Sequence, residues 1–171
     1  MTIPALTHLD YLPYLDSDSK LPDDWQGKIG VYAIFDEGKT LRFVGYSRDV
    51  YLSLKQHLAR QPRACYWLKV HTVDRPSRTL LEEIRQAWRS ENGGMEGDEK
   101  SWTEPIDARR SMTEEERESY DRAEESDRGK ILKNIARRVE SEIKEELENR
   151  GVKMEFRFNP KLKEQGLLDL K

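Results

Sequence analysis

At 171 residues the chain has room for one domain with its own core, or for a small domain carrying a substantial extension. With 36% hydrophobic and 37% charged residues it must gather its apolar side chains on a few faces; no run approaches the roughly 18 to 20 apolar residues of a membrane span, and the N-terminus lacks a secretory pattern, so a soluble cytoplasmic protein is expected. A lone cysteine, Cys65, excludes an internal disulfide and a cysteine-built zinc site, and a net charge of −3 argues against a protein that is basic all over.

The charge is unevenly placed. Residues 26 to 92 hold twelve Lys and Arg against seven Asp and Glu, a net +5, which leaves −8 for the remainder. A basic segment beside an acidic one allows a phosphate-binding face within an acidic protein.

Residues 1 to 25, punctuated by Pro4, Pro13 and Pro22 and by aspartates, read as an irregular arm. Its Leu9, Tyr11, Leu12, Tyr14 and Leu15 are expected to lie across the domain. The β-branched and aromatic run Ile29 to Phe35 predicts a central strand, Asp36 to Lys39 a turn, and Thr40 to Tyr46 a second strand closing a hairpin. Ser47 or Asp49 can cap a helix running to about Arg60, with Val50, Leu54 and Leu58 at fourfold spacing and Pro62 beyond its end. Ala64 to Val73 is a third strand, and among its first residues Cys65 reads as a small core hydrophobe, with a redox role as the alternative. A second helix opens near Pro76 and runs through Leu80, Leu81, Ile84 and Trp88 to Asn92, and Asn92 to Asp98 is a loop.

The expected fold class is therefore α+β, a small antiparallel sheet of about three strands in the order β-β-α-β-α over residues 26 to 99, followed by a charged helical extension over 100 to 171 packed on the same domain. Within that extension Thr113 and Glu116 spell a capping box for a helix to about Glu125. Gly129 is read as a separator before a longer helix with the stripe Ile131, Ile135, Val139, Ile143 and Leu147, capped by Gly151. Met154, Phe156 and Phe158 alternate with charged residues and predict a half-buried strand, for which the edge of the first sheet is an available place. The acidic helices can be a solvated extension, a surface for a protein partner, or an internal mimic of nucleic acid.

Gly30-Val31-Tyr32, ten residues, then Phe43-Val44-Gly45 on adjacent strands resembles the paired signature of the GIY-YIG nuclease superfamily. The continuation Gly45-Tyr46-Ser47-Arg48-Asp49-Val50, a helix carrying His57, then a strand and a helix bearing Glu82 follows the same order, and the resemblance covers about the first hundred residues. It looks closest to a branch from photosynthetic lineages, some of whose members are fused to a monothiol glutaredoxin in plastids. The resemblance implies a metal-dependent DNA endonuclease, or a catalytically inactive module of the same fold that binds nucleic acid or a protein. On this reading Tyr32 would orient or deprotonate water, His57 would assist, and Glu82, with Glu83 as the neighbouring alternative, would hold Mg2+ or Mn2+. Arg42, Arg48, Lys55 and Arg60 would contact phosphates, DNA being favoured over RNA. Phe43 departs from the second motif tyrosine and Ser53 from the helix arginine. Loss of a cation facing developing phosphate charge is worth on the order of 3 kcal/mol. Arg48, roughly 140° round the helix from Ser53 and ~7.5 Å along it, replaces that cation only by reaching back.

Overall fold

The computed structural model describes residues 3–93 and 99–171. It divides into two compact units, Met1–Trp102 and Thr103–Lys171. Four antiparallel strands form the sheet of the first unit: β1 (Leu12–Pro13), β2 (Ile29–Phe35), β3 (Leu41–Ser47) and β4 (Trp67–Val73), in the spatial order β1-β4-β2-β3. The predicted three strands and their antiparallel pairing are present; the fourth comes from the N-terminal arm, which pairs Leu12 with Leu68 and Pro13 with Trp67. Two residues ending in proline give no sustained pattern, which is why the arm reads as irregular.

Helix α1 (Val50–Arg60) and helix α2 (Arg78–Glu91) follow β3 and β4. Of the two predicted caps for α1, Asp49 accepts from the Leu52 amide at 3.3 Å, and Ser77 caps α2. Alternation along the strands then sorts the side chains. Val31, Ala33, Phe35 and Val44 form one face, packed on Leu81, Ile84 and Trp88 of α2. Tyr32 and Phe43 point the other way, where they meet His57 of α1. Cys65 is fully buried, as its reading as a core hydrophobe expects.

Polar clamps hold the arm across this unit. The Trp88 indole donates to the Pro4 carbonyl at 2.9 Å, the Leu6 amide donates to Glu91, and the Tyr14 hydroxyl donates to the Leu54 carbonyl. Buried Lys69 donates to the Leu6 carbonyl at 3.1 Å and lies 4.2 Å from the centre of the Tyr11 ring. Tyr14 is buried, Leu9 and Leu15 half-buried, and Tyr11 and Leu12 keep 38% and 37% of their surface exposed.

In the second unit a ribbon pairs β5 (Ile106–Asp107) with β6 (Leu167–Leu168). Between these strands come α4 (Glu114–Arg122), α5 (Glu125–Arg150) and α6 (Pro160–Lys163); the short α3 (Lys100–Thr103) closes the first unit. The Thr113–Glu116 capping box and the left-handed Gly151 cap are formed as predicted. Gly129 is no separator: α5 runs straight through it, and the break lies at Ala123 and Glu124, because a single glycine weakens a helix without obliging it to stop. The strand predicted over Met154 to Phe158 is also corrected. Phe156 and Phe158 are buried and alternate with exposed neighbours, yet the segment makes only an isolated bridge, Phe158 with Leu170, and adds nothing to the first sheet. The loop read from Asn92 to Asp98 lies outside the described residues from position 94 onward. Among the described residues no helix is long and apolar enough to cross a membrane.

Gly30 is fixed by close approach rather than by backbone dihedrals, since a Cβ there would sit 2.5 Å from the His71 carbonyl oxygen of β4. Gly30→Ala is expected to destabilise the protein by about 2 kcal/mol, because backbone must move to relieve the clash. Gly38→Ala, whose Cβ would meet only Asp36 at 3.7 Å, serves as the near-neutral control. Urea unfolding of the two variants checks this difference.

Candidate active site

Tyr32 lies at the middle of β2, paired with Gly45 on β3 and Val70 on β4. Its hydroxyl is 2.7 Å from Nε2 of His57, one turn before the end of α1. Gly45 makes this possible: a Cβ at that position would come within 2.9 Å of the Tyr32 hydroxyl and 2.7 Å of the Phe43 ring. The motif glycines therefore do different jobs, Gly30 admitting a neighbouring backbone and Gly45 admitting the phenol.

Both partners are out of solvent, Tyr32 at 3% and His57 at 4% exposure. Burial holds the His57 imidazole neutral, its pKa lowered to about 3, with the nearby Arg60 guanidinium acting in the same direction. Burial likewise pushes the Tyr32 phenol up, against smaller opposing effects from a hydrogen bond with Ser53 and the charges of Arg60 and Arg85. The pair is thus a neutral phenol beside a neutral imidazole, an arrangement able to pass a proton without creating a buried charge at rest. On the far side of the ring Nδ1 makes no hydrogen bond, and the Trp102 backbone raises the His57 pKa against the two lowering effects.

Phe43 and Ser53, the two departures from the motif the sequence resembles, sit beside the pair. Phe43 stacks flat on Trp102, centroids 5.2 Å apart and planes 8° from parallel, and both rings press on His57. Ser53 donates to Ser47 at 2.7 Å and faces Tyr32, filling with hydroxyls the space that an arginine would take.

Glu82 projects from α2 on the other face of the sheet. Hydrogen bonding from Gln86 at 2.8 Å holds its carboxyl below the usual carboxylate range, with Arg85 at 3.0 Å and the Tyr46 hydroxyl adding to the effect. Glu83, its neighbour, is exposed and shares none of these contacts. Among the described residues no three His, Cys, Asp or Glu gather as a metal cluster.

Beside Glu82 stands a residue that sequence reasoning missed. Arg85, one turn after Glu82, has its side chain only 16% exposed and donates from Nε to the Val44 carbonyl of β3 at 3.2 Å. Because β3 is the edge of the sheet, this guanidinium sits at that edge, bonded to Glu82, and its charge is the smallest of the effects that oppose burial at the Tyr32 phenol. The sequence signal was available, an arginine three positions from the candidate carboxylate on one helix face. The sequence candidates for phosphate contacts do not converge in the same way. Arg42 is exposed and pairs with Asp36 at 3.4 Å; Arg48 is exposed before α1; Lys55 is half-buried on α1. Arg60 turns inward and donates to the Trp102 carbonyl at 2.7 Å.

A histidine buried neutral destabilises the fold wherever the unfolded chain would hold a proton that the folded one refuses. Its folded pKa is below the ordinary 6.5, so its full contribution is present above that pH and is lost as pH falls toward about 3. Stability is expected to drop by about 1.4 kcal/mol per pH unit across that window on account of this one group. Denaturant titrations should show the slope flattened in His57→Gln relative to the parent.

No protein-family profile matches the chain. Over 90 residues, 53% of this chain, it is 33% identical to the bifunctional monothiol glutaredoxin-S16, chloroplastic, of Arabidopsis thaliana, and the matched part is 29% of that protein's length. The chain is thus similar to a portion of a chloroplastic glutaredoxin fusion protein and spans less than a third of it.

Proposed function

We propose that residues 26 to 99 are a GIY-YIG-type nuclease domain, a metal-dependent endonuclease acting on DNA, held in a closed resting form. The observation that carries this reading is the 2.7 Å contact between the first motif tyrosine, Tyr32, and the helix histidine, His57, kept neutral by burial. Hydrolysis of a phosphodiester needs a proton acceptor for the attacking water, a cation facing the non-bridging oxygens, and stabilisation of the leaving oxygen. With its phenol raised, Tyr32 works as an orienting donor rather than as a standing phenolate. The water proton passes to the Tyr32 oxygen as the phenol proton passes to Nε2 of His57, and the charge on the imidazolium lasts only as long as the step. Arg85, at the edge of β3, supplies the guanidinium that Ser53 does not, with Arg60 contributing at longer range.

Glu82 fits a single-carboxylate divalent cation site, being ionised and partly solvent-reachable on α2. One carboxylate binds Mg2+ or Mn2+ weakly unless substrate phosphate and water complete the shell. When bound there the ion would stabilise the leaving oxygen.

A second reading is favoured by Trp102, which is 6% exposed and covers the pair with apolar surface. On that reading the domain keeps the fold and binds nucleic acid or a protein partner without cutting. Incubating labelled single-stranded and duplex DNA with the protein and Mg2+ or Mn2+ separates the two. The nuclease reading expects cleavage reduced by about a hundredfold or more in Tyr32→Phe, His57→Ala and Glu82→Ala. Binding without cleavage above the Glu82→Ala background supports the non-catalytic module instead.

A further inference from the structure

Residues 99 to 102 make contacts of two unlike chemistries with the candidate site. Glu99 places one carboxylate oxygen 3.1 Å from Arg85 and 2.7 Å from Arg89, so two guanidinium groups of α2 converge on a single anion. Three residues on, the Trp102 indole lies flat on Phe43 and beside His57. The segment is pinned between these points by Arg60 at the Trp102 carbonyl and by Gln61 at the Ser101 carbonyl, 3.4 Å away.

An oxygen anion held by paired arginines and a flat ring stacked on an aromatic face are the two elements of nucleotide recognition. Guanidinium groups bind carboxylate and phosphate oxygens with the same geometry. Stacking is open to every base, but only to one that is not already stacked within a duplex.

Resting on the nuclease reading of the fold, we propose that Arg85, Arg89 and the face of Phe43 form a subsite for a phosphate and an unpaired base of single-stranded nucleic acid, occupied in cis by Glu99 and Trp102. The strap is a substrate mimic. Single-stranded nucleic acid competes with it, and displacing Trp102 is what uncovers the Tyr32–His57 pair.

The test is fluorescence anisotropy on the full chain in EDTA, with a labelled oligothymidylate of about ten nucleotides as probe and a duplex of equal length as comparison. Glu99→Gln, at a partly exposed site that leaves the core intact, and Trp102→Ala are each expected to tighten single-strand binding by roughly tenfold with little gain for duplex. Adding Arg89→Ala to Glu99→Gln should return affinity to the parent value, and raising salt should weaken the gain from Glu99→Gln more than that from Trp102→Ala. Should Trp102→Ala fail to fold, Glu99→Gln decides alone. Parent-like affinity in a folded Glu99→Gln variant, or an equal gain for duplex, overturns the proposal. Binding is read without metal, so absence of cleavage counts against the nuclease reading only, and cleavage with strap-independent affinity counts against the mimic only.

Discussion

A phenol and an imidazole that share one hydrogen bond inside an apolar pocket constrain much of the first unit. To reach His57, the Tyr32 side chain must pass over β3 where no Cβ stands, which places a glycine at position 45. To keep the imidazole dry, the pocket must be roofed, which Phe43 and Trp102 do together. Burial keeps both groups neutral; the Arg60 guanidinium reinforces it at His57 by disfavouring an imidazolium, whereas at Tyr32 the charges of Arg60 and Arg85 oppose it and burial prevails. Ser47 and Ser53 finish the lining with hydroxyls that satisfy one another.

The sheet itself divides this chemistry. Tyr32 and His57 lie on the α1 face, Glu82 on the α2 face, and a sheet admits no side chain through its middle. At the free edge of β3 groups from both faces can approach one another, and Arg85 lies there, bonded to the Val44 carbonyl. A guanidinium can bridge there because it offers several donors in one plane, serving a backbone carbonyl, Glu82 and Glu99 at once. The Arg85 cation is thereby committed to three partners at once in this structure.

What the sequence disclosed follows from how local each signal is. The hairpin, both helices, the Thr113 capping box and the Gly151 cap rest on periodicity and end chemistry within a few residues, and the α+β class came with them. The hydrogen bond between Tyr32 and His57, 25 positions apart, follows from no spacing rule, and the sequence reading named the two residues without pairing them. Gly129 was over-read, because tertiary burial of Leu132, Ile135 and Ala136 carries α5 past a weak residue. Alternation from Met154 to Phe158 correctly named the buried side but not the pairing partner, which depends on where the chain returns at Leu170. Trp102 carried no local signal of its role. Its importance arises only when folding brings Phe43, far away in sequence, beneath it.

The central claim is that His57 is neutral and accepts from Tyr32 in the folded protein. Selective 15N labelling of histidine and long-range proton–nitrogen NMR spectra recorded from mildly alkaline to mildly acidic pH read that state directly, nitrogen by nitrogen. The account predicts one protonated and one hydrogen-bond-accepting ring nitrogen for His57, unchanged through the pH at which an ordinary histidine titrates, with a slowly exchanging Tyr32 hydroxyl proton coupled to the accepting side. Titration of His57 near the ordinary value in the folded protein would contradict it.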